Sequence, residues 1–164
     1  MTNLKLQSSR ARILDVAGLA FWLLITFGVA GFASQFEPGD WYRSLAKPSW
    51  TPPGRVFGPV WGLLYLSMGI AAWMVWRQRP RTNTLVPLIF YLAQLAVNGL
   101  WSWLFFGQLL IGPALIDLLL LVLLVAVTVW LFLRVYKPAG FLMIPYLLWI
   151  SFASALNFQI WRLN

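Results

Sequence analysis

The 164-residue chain contains no cysteine and no histidine. Those absences exclude disulfides, Cys/His zinc sites and every Ser-His-Asp or Cys-His nucleophilic arrangement. Acid is scarce as well: Asp15, Glu37, Asp40 and Asp117 are the only carboxylic side chains. No metal site is expected. Charged residues make up 10% of the chain, where a soluble domain carries roughly 25%. Hydrophobic residues make up 61% and fall in long runs, so the chain reads as an integral membrane protein rather than a soluble one.

Twelve Lys and Arg give a net charge of +8, which in a soluble protein would point to nucleic acid. Here the basic residues sit between apolar runs and read as topology signals, so no nucleic-acid partner is expected. Tryptophan is abundant instead. Eleven Trp within a 17% aromatic fraction exceed what anchoring at a membrane interface requires.

A helix needs about 20 apolar residues to cross roughly 30 Å of hydrocarbon. Five segments meet that length, at about 13–36, 56–76, 85–106, 109–136 and 139–160. They are continuously apolar rather than alternating, which argues against a membrane β-barrel. The expected fold is all-α, a five-transmembrane-helix bundle in a single domain over 1–164. The first segment also has the layout of a signal peptide, with Lys5, Arg10 and Arg12 before an apolar run and small residues at Gly31-Phe32-Ala33. It is read as a span, because its loss would break the bundle.

Orientation follows from Lys and Arg in the connecting segments. Lys5, Arg10, Arg12, Arg77, Arg79, Arg81, Arg134 and Lys137 share the side of the N-terminus, against Arg43, Lys47, Arg55 and Arg162 opposite. This bias places the N-terminus in the cytoplasm if the membrane is a bacterial inner membrane.

The one long connection, 37–55, carries Pro38, Pro48, Pro52 and Pro53 with Trp41, Tyr42 and Trp50. Proline lowers the entropy of the free loop and the aromatics supply apolar area, so an ordered lid is expected. The alternative is an interfacial aromatic belt, the reading preferred for Trp73, Trp76 and Trp161. On the third span Gln94, Asn98, Trp101 and Phe105 share one helix face. Amides within hydrocarbon must find partners, so that face is expected inward. Trp61 and Tyr65 on the second span, and Tyr146, Trp149, Ala153 and Asn157 after Pro145 on the fifth, form matching stripes. Together they would line an aromatic cavity below the loop, or else serve as helix packing with hydrogen-bonding amides. Gly54, Gly58 and Gly62 form a small-xxx-small stripe expected to let helices approach closely within the protomer. Asp117 is the single acid deep in a span, with either a structural hydrogen-bonding role or a proton or substrate role.

These residues resemble the translocator protein family, also called tryptophan-rich sensory proteins or peripheral-type benzodiazepine receptors. The resemblance rests on Trp41-Tyr42, Lys47-Pro48, Trp50, Pro52-Pro53 and Trp61. It continues through Gln94-Leu95, Asn98, Trp101 and Phe105-Phe106-Gly107 to Pro145-Tyr146, Trp149, Ala153, Leu156-Asn157 and Trp161-Arg162. It implies a five-helix bundle, a homodimer, and binding of porphyrins such as protoporphyrin IX, haem precursors, sterols and isoquinoline-carboxamide or benzodiazepine ligands. By position it implies Trp41, Tyr42, Pro52, Trp61, Tyr65, Asn98, Trp149 and Ala153 as lining residues. Some bacterial members are similar to a light-dependent porphyrin-degrading enzyme, which would make Trp61 and Trp149 catalytic. Relatives also occupy outer membranes of bacteria and mitochondria.

Phe158 stands where a sterol-recognition motif needs Tyr, and Pro113 where some animal relatives carry a ligand-contacting Trp. Without His or Cys, only Met or Tyr remains to ligate a haem iron. A tetrapyrrole would then be held by stacking and burial, with no cofactor required.

Overall fold

The computed structural model describes the backbone of residues 2–164 and the side chains from residue 12 onward. Lys5 and Arg10 therefore lie outside the described side chains. The described chain is helical, with no strand: α1 (Thr2–Ala33), α2 (Asp40–Ser44), α3 (Gly54–Trp76), α4 (Leu85–Ser102), a π-helical turn (Trp103–Gly107), α5 (Ile111–Val135) and α6 (Lys137–Leu163). Among the described residues, five helices are long and apolar enough to cross a membrane, from Arg12–Ala33 to Lys137–Leu163. The connection expected as an ordered lid contains the short helix α2. The third span, expected as one continuous helix, widens into the π turn at its end.

The long helices are apolar on every side, as a bilayer demands, and their buried residues pick out the inner face. On α5, Ala114, Asp117, Leu118, Leu121, Val125, Thr128, Val129 and Phe132 recur at three- and four-residue spacing and are buried. Ile116, Leu119, Leu120 and Leu123 face outward. The main core lies in the half of the bundle away from the long loop. There Met68, Ala71, Ala72, Val75, Tyr91, Phe132, Met143 and Tyr146 have no exposure. Tyr91 and Thr26 share a hydrogen bond of 2.6 Å that ties α4 to α1. α6 continues through Pro145 without a break.

At the N-terminal side, aromatic rings meet guanidinium groups. Arg77 pairs with Asp15 at 2.9 Å and lies 4.7 Å over the Trp73 ring. Trp73 Nε1 donates to the Asp15 carbonyl at 3.0 Å. Arg79 lies 3.4 Å over Trp76 and Arg134 4.8 Å over Trp130. Indole faces holding cations at helix ends suit a membrane interface, where the ring is half in hydrocarbon and the charge reaches water.

Candidate functional site

The loop-side half of the bundle encloses a cavity of about 670 Å³, within the size range of small-molecule pockets. Its walls come from α1, α3, α4 with the π turn, and α6, and the loop closes one end. Ten aromatic residues line it, among them Trp61, Trp101, Phe105 and Trp149. Trp101 stacks on Phe105 at 5.2 Å, Trp61 lies against Tyr65 at 5.5 Å, and Phe57 meets Trp149 edge-on at 5.8 Å.

The floor is polar but paired. Tyr65 donates to Asn98 Oδ1 at 2.5 Å, and Asn98 Nδ2 donates to the Tyr146 hydroxyl at 3.0 Å. Three helices are joined through one amide. Higher up, Trp101 Nε1 donates to Asn157 Oδ1 at 3.3 Å, and Asn157 Nδ2 donates to the Ile111 carbonyl at 3.0 Å. These bonds lower the cost of carrying amides in hydrocarbon and fix the rings beside them.

The loop is held by its own chemistry. Lys47 Nζ donates to the carbonyls of Leu45 at 2.9 Å and Arg43 at 3.3 Å, and lies 4.7 Å from the centroid of the Tyr42 ring. Tyr42 meets Phe106 at 5.5 Å, Trp41 meets Phe105 at 5.7 Å, and Trp50 meets Phe152 at 5.7 Å. Asn164 grips Ala46 twice: its Oδ1 accepts from the Ala46 N–H and its Nδ2 donates to the Ala46 carbonyl, both at 3.0 Å. Burial raises the pKa of the Tyr42 hydroxyl above its ordinary value, so at neutral pH the phenol beside Lys47 is uncharged.

Of the residues singled out from sequence, Tyr42, Pro52, Trp61, Tyr65, Asn98, Trp101, Phe105, Trp149, Ala153 and Asn157 line this cavity. Trp41, Gln94 and Tyr146 do not. Trp41 packs behind Phe105, and Tyr146 lies beneath the floor with no exposure, holding Asn98. Gln94 is one turn below Asn98 and fully buried, yet neither amide atom finds a hydrogen-bond partner among the described residues. The requirement that membrane amides be paired holds for Asn98 and Asn157 and fails for Gln94. Asp117 is buried on α5, away from the cavity wall, with Oδ2 unpartnered.

The glycine stripe also departs from expectation. Gly54, Gly58 and Gly62 support no close helix contact: a Cβ built on any of them meets nothing within 4 Å. They line the cavity instead.

Sequence reasoning missed several lining residues, Lys47 and Phe57 among them, and two contributions matter most. The first is α1 and the turn after it, which line the cavity with Phe27, Ala30 and Ala33 of the helix and Phe36 of the turn; none of these stands out from an apolar run. The second is Phe106. In a regular α-helix two consecutive residues point about 100° apart, but the π turn, with Gln108 N–H bonded to the Trp103 carbonyl at 2.8 Å, widens the helix. Both Phe105 and Phe106 then line the cavity. The available signal was the pair of Phe before Gly107.

The sequence profile of the TspO/MBR family matches residues 18–162. The chain is 41% identical over 155 residues to a protein of Bos taurus named translocator protein, covering 91% of this chain and 90% of that one. It is 41% identical over 155 residues to the tryptophan-rich protein TspO of Chlorobaculum tepidum, covering 93% and 98%. It is 41% identical over 128 residues to the tryptophan-rich sensory protein of Cereibacter sphaeroides, covering 78% and 79%.

Proposed function

The chain belongs to the TspO/MBR family of integral membrane translocator and sensory proteins, and we propose that it binds a tetrapyrrole, with protoporphyrin IX as the test ligand, as a sensor or carrier. The observation that carries this reading is the cavity: about 670 Å³, faced by Trp61, Trp101, Phe105 and Trp149, and closed at one end by an anchored loop. A macrocycle offers large flat faces, and aromatic side chains stack on them in a site that excludes water. Lys47 and Glu37 both lie on the cavity wall at the loop end, and acidic substituents of the ligand would lie toward the Lys47 ammonium. The chain adopts this role as a homodimer with its N-terminus cytoplasmic in a bacterial inner membrane.

Titration of the purified protein with protoporphyrin IX in the dark should quench tryptophan fluorescence saturably. Metal-free porphyrin should bind at least as well as haem, because no His or Cys is present to ligate iron. Absence of saturable quenching would overturn the reading. A clear preference for haem, lost on substitution of a Met or Tyr, would replace stacking with ligation.

One observation favours a second reading. Trp61 and Trp149 both line the cavity, so a light-excited porphyrin held there would have two indoles as electron donors, with oxygen as the terminal oxidant for ring opening. Substituting both by Phe should then abolish light-dependent bleaching of bound porphyrin while dark quenching of the other tryptophans persists. Bleaching at an unchanged rate would remove these two residues from the chemistry. Transport has its single sequence support in Asp117; unchanged porphyrin movement across proteoliposomes carrying Asp117→Asn would withdraw it.

A further inference from the structure

We propose that the cavity fills sideways, from the hydrocarbon of the loop-side leaflet, through a slot between α1 and α3. This rests on the cavity being the ligand site. The two helices touch and then part. In the closed half, a Cβ on Gly69 of α3 would meet Leu23 Cδ2 of α1 at 2.8 Å and Thr26 Oγ1 at 3.4 Å. Gly62 and Gly58 lie seven and eleven residues earlier, two and three turns along the same face. They point the same way as Gly69, yet a Cβ on either meets nothing within 4 Å.

α1 has moved to another neighbour. At the position of a Cβ on Gly99 of α4, Val29 Cγ1 of α1 is 3.2 Å away and Phe32 3.5 Å, and the Phe36 ring comes within 2.9 Å of the equivalent point on Gly107. Beyond the Phe27–Tyr65 ring contact at 6.3 Å, α1 therefore leans on α4, the turn after it leans on the π turn, and α1 leaves α3. The cavity occupies the gap, with Phe27 and Ala30 on one wall and Gly58 and Gly62 on the other. Phe27 remains 42% exposed at that edge.

The alternative way in, through the loop, requires several interactions between loop and bundle to break: the two Asn164 bonds to Ala46 and the ring contacts of Trp41 with Phe105, Tyr42 with Phe106 and Trp50 with Phe152. The slot requires none of them. Its apolar walls suit a molecule already dissolved in the leaflet, and bare glycine backbone leaves width for a flat ring system. The ligand class is a planar amphiphile whose acidic groups stay at head-group level, where Lys47 faces the cavity.

The cysteine-free chain makes the route directly measurable. In phosphatidylcholine vesicles, the full chain carrying Ala153→Cys, on the α6 wall of the cavity, should react with a membrane-dissolved pyrene maleimide. It should react far more slowly with a charged, water-soluble maleimide. Adding Gly58→Leu and Gly62→Leu should slow pyrene labelling by at least about tenfold. Ala30→Leu, which narrows the slot from the α1 side, should slow it in the same direction and guards against misfolding of the glycine pair. Asn164→Ala, which frees the loop, should leave the pyrene rate unchanged.

Equal labelling with and without the Leu substitutions would overturn the proposal. So would faster labelling by the charged reagent once Asn164 is removed, because it would assign supply to the loop. In a parallel arm, protoporphyrin IX preloaded into the vesicles should quench tryptophan more slowly in the Leu variants, by a factor similar to that for labelling. If the unsubstituted protein shows no saturable quenching, the tetrapyrrole reading fails, while the labelling arm still decides the slot.

Discussion

The two halves of this bundle are built from the same five helices and differ in how small residues are used. Away from the loop, Gly69 holds α3 against α1, and Met68, Ala71, Ala72 and Val75 are sealed from solvent and lipid alike. Toward the loop, Gly58 and Gly62 on the same helix face touch nothing and border a cavity of about 670 Å³. A glycine stripe is therefore not one device. Where a partner helix sits opposite, it brings backbones together; where the partner has leaned away, it holds space open.

The largest expected effect tests that contrast directly. Gly69→Leu drives a side chain into Leu23 and the α1 backbone, and overpacking of this kind costs about 1–3 kcal/mol or more; it should lower the thermal unfolding midpoint in detergent sharply. Gly62→Ala, with open space around it, should keep or raise the midpoint, because alanine is the better helix former by about 1 kcal/mol. Equal destabilisation by both would break the distinction between the halves.

Next in size is a pair of amides one turn apart on α4. Asn98→Leu leaves the Tyr65 and Tyr146 hydroxyls without their shared partner and should cost about 1–2 kcal/mol. Gln94→Leu removes an amide with no partner and of similar bulk, so it should be neutral or stabilising in the same unfolding assay. If Gln94→Leu proves the worse of the two, a partner for Gln94 exists that the packing of the helices does not supply.

A smaller change concerns the turn that follows the π segment. Leu109 has a φ of 60°, a left-handed conformation in which a β-carbon costs about 1–2 kcal/mol. Leu109→Gly should recover about 1 kcal/mol of that, read as a raised unfolding midpoint. No gain would mean that the Leu109 side chain contributes as much as its backbone costs.

The smallest effect belongs to the loop. Asn164→Ala removes both bonds to Ala46, but at an exposed site the loss should stay below about 1 kcal/mol. Its signature is local: faster hydrogen exchange at the Ala46 amide, with the core of the opposite half unchanged. A change that spreads to Met68 or Val75 would show that the two halves unfold together.

The fold was legible because hydrocarbon leaves the chain few choices. Every peptide group must be paired within a span, so a run of about 20 apolar residues is a helix before its neighbours are known. The stripes on α4 and α6 were legible for a related reason: a polar or aromatic residue repeating at helical spacing within lipid marks an inward face. Asn98, Trp101, Trp149 and Asn157 were found that way. Gln94 and Tyr146 satisfied the same rule and lie outside the cavity wall, because periodicity gives the face of a helix and not the depth at which a space opens; Trp41, singled out in the loop, lies outside it too.

Sequence by itself thus determined a membrane-embedded helical bundle, its inward faces and its membership of a family. Tertiary structure alone decided where α1 leaves α3, which glycines touch and which stand free, and that a π turn brings Phe105 and Phe106 to one wall. The physical reason is that helix formation and burial in lipid are settled within one span. The space between spans depends on which neighbour a helix leans on, and apolar residues of α1 such as Phe27 and Val29 carry no local mark of that choice.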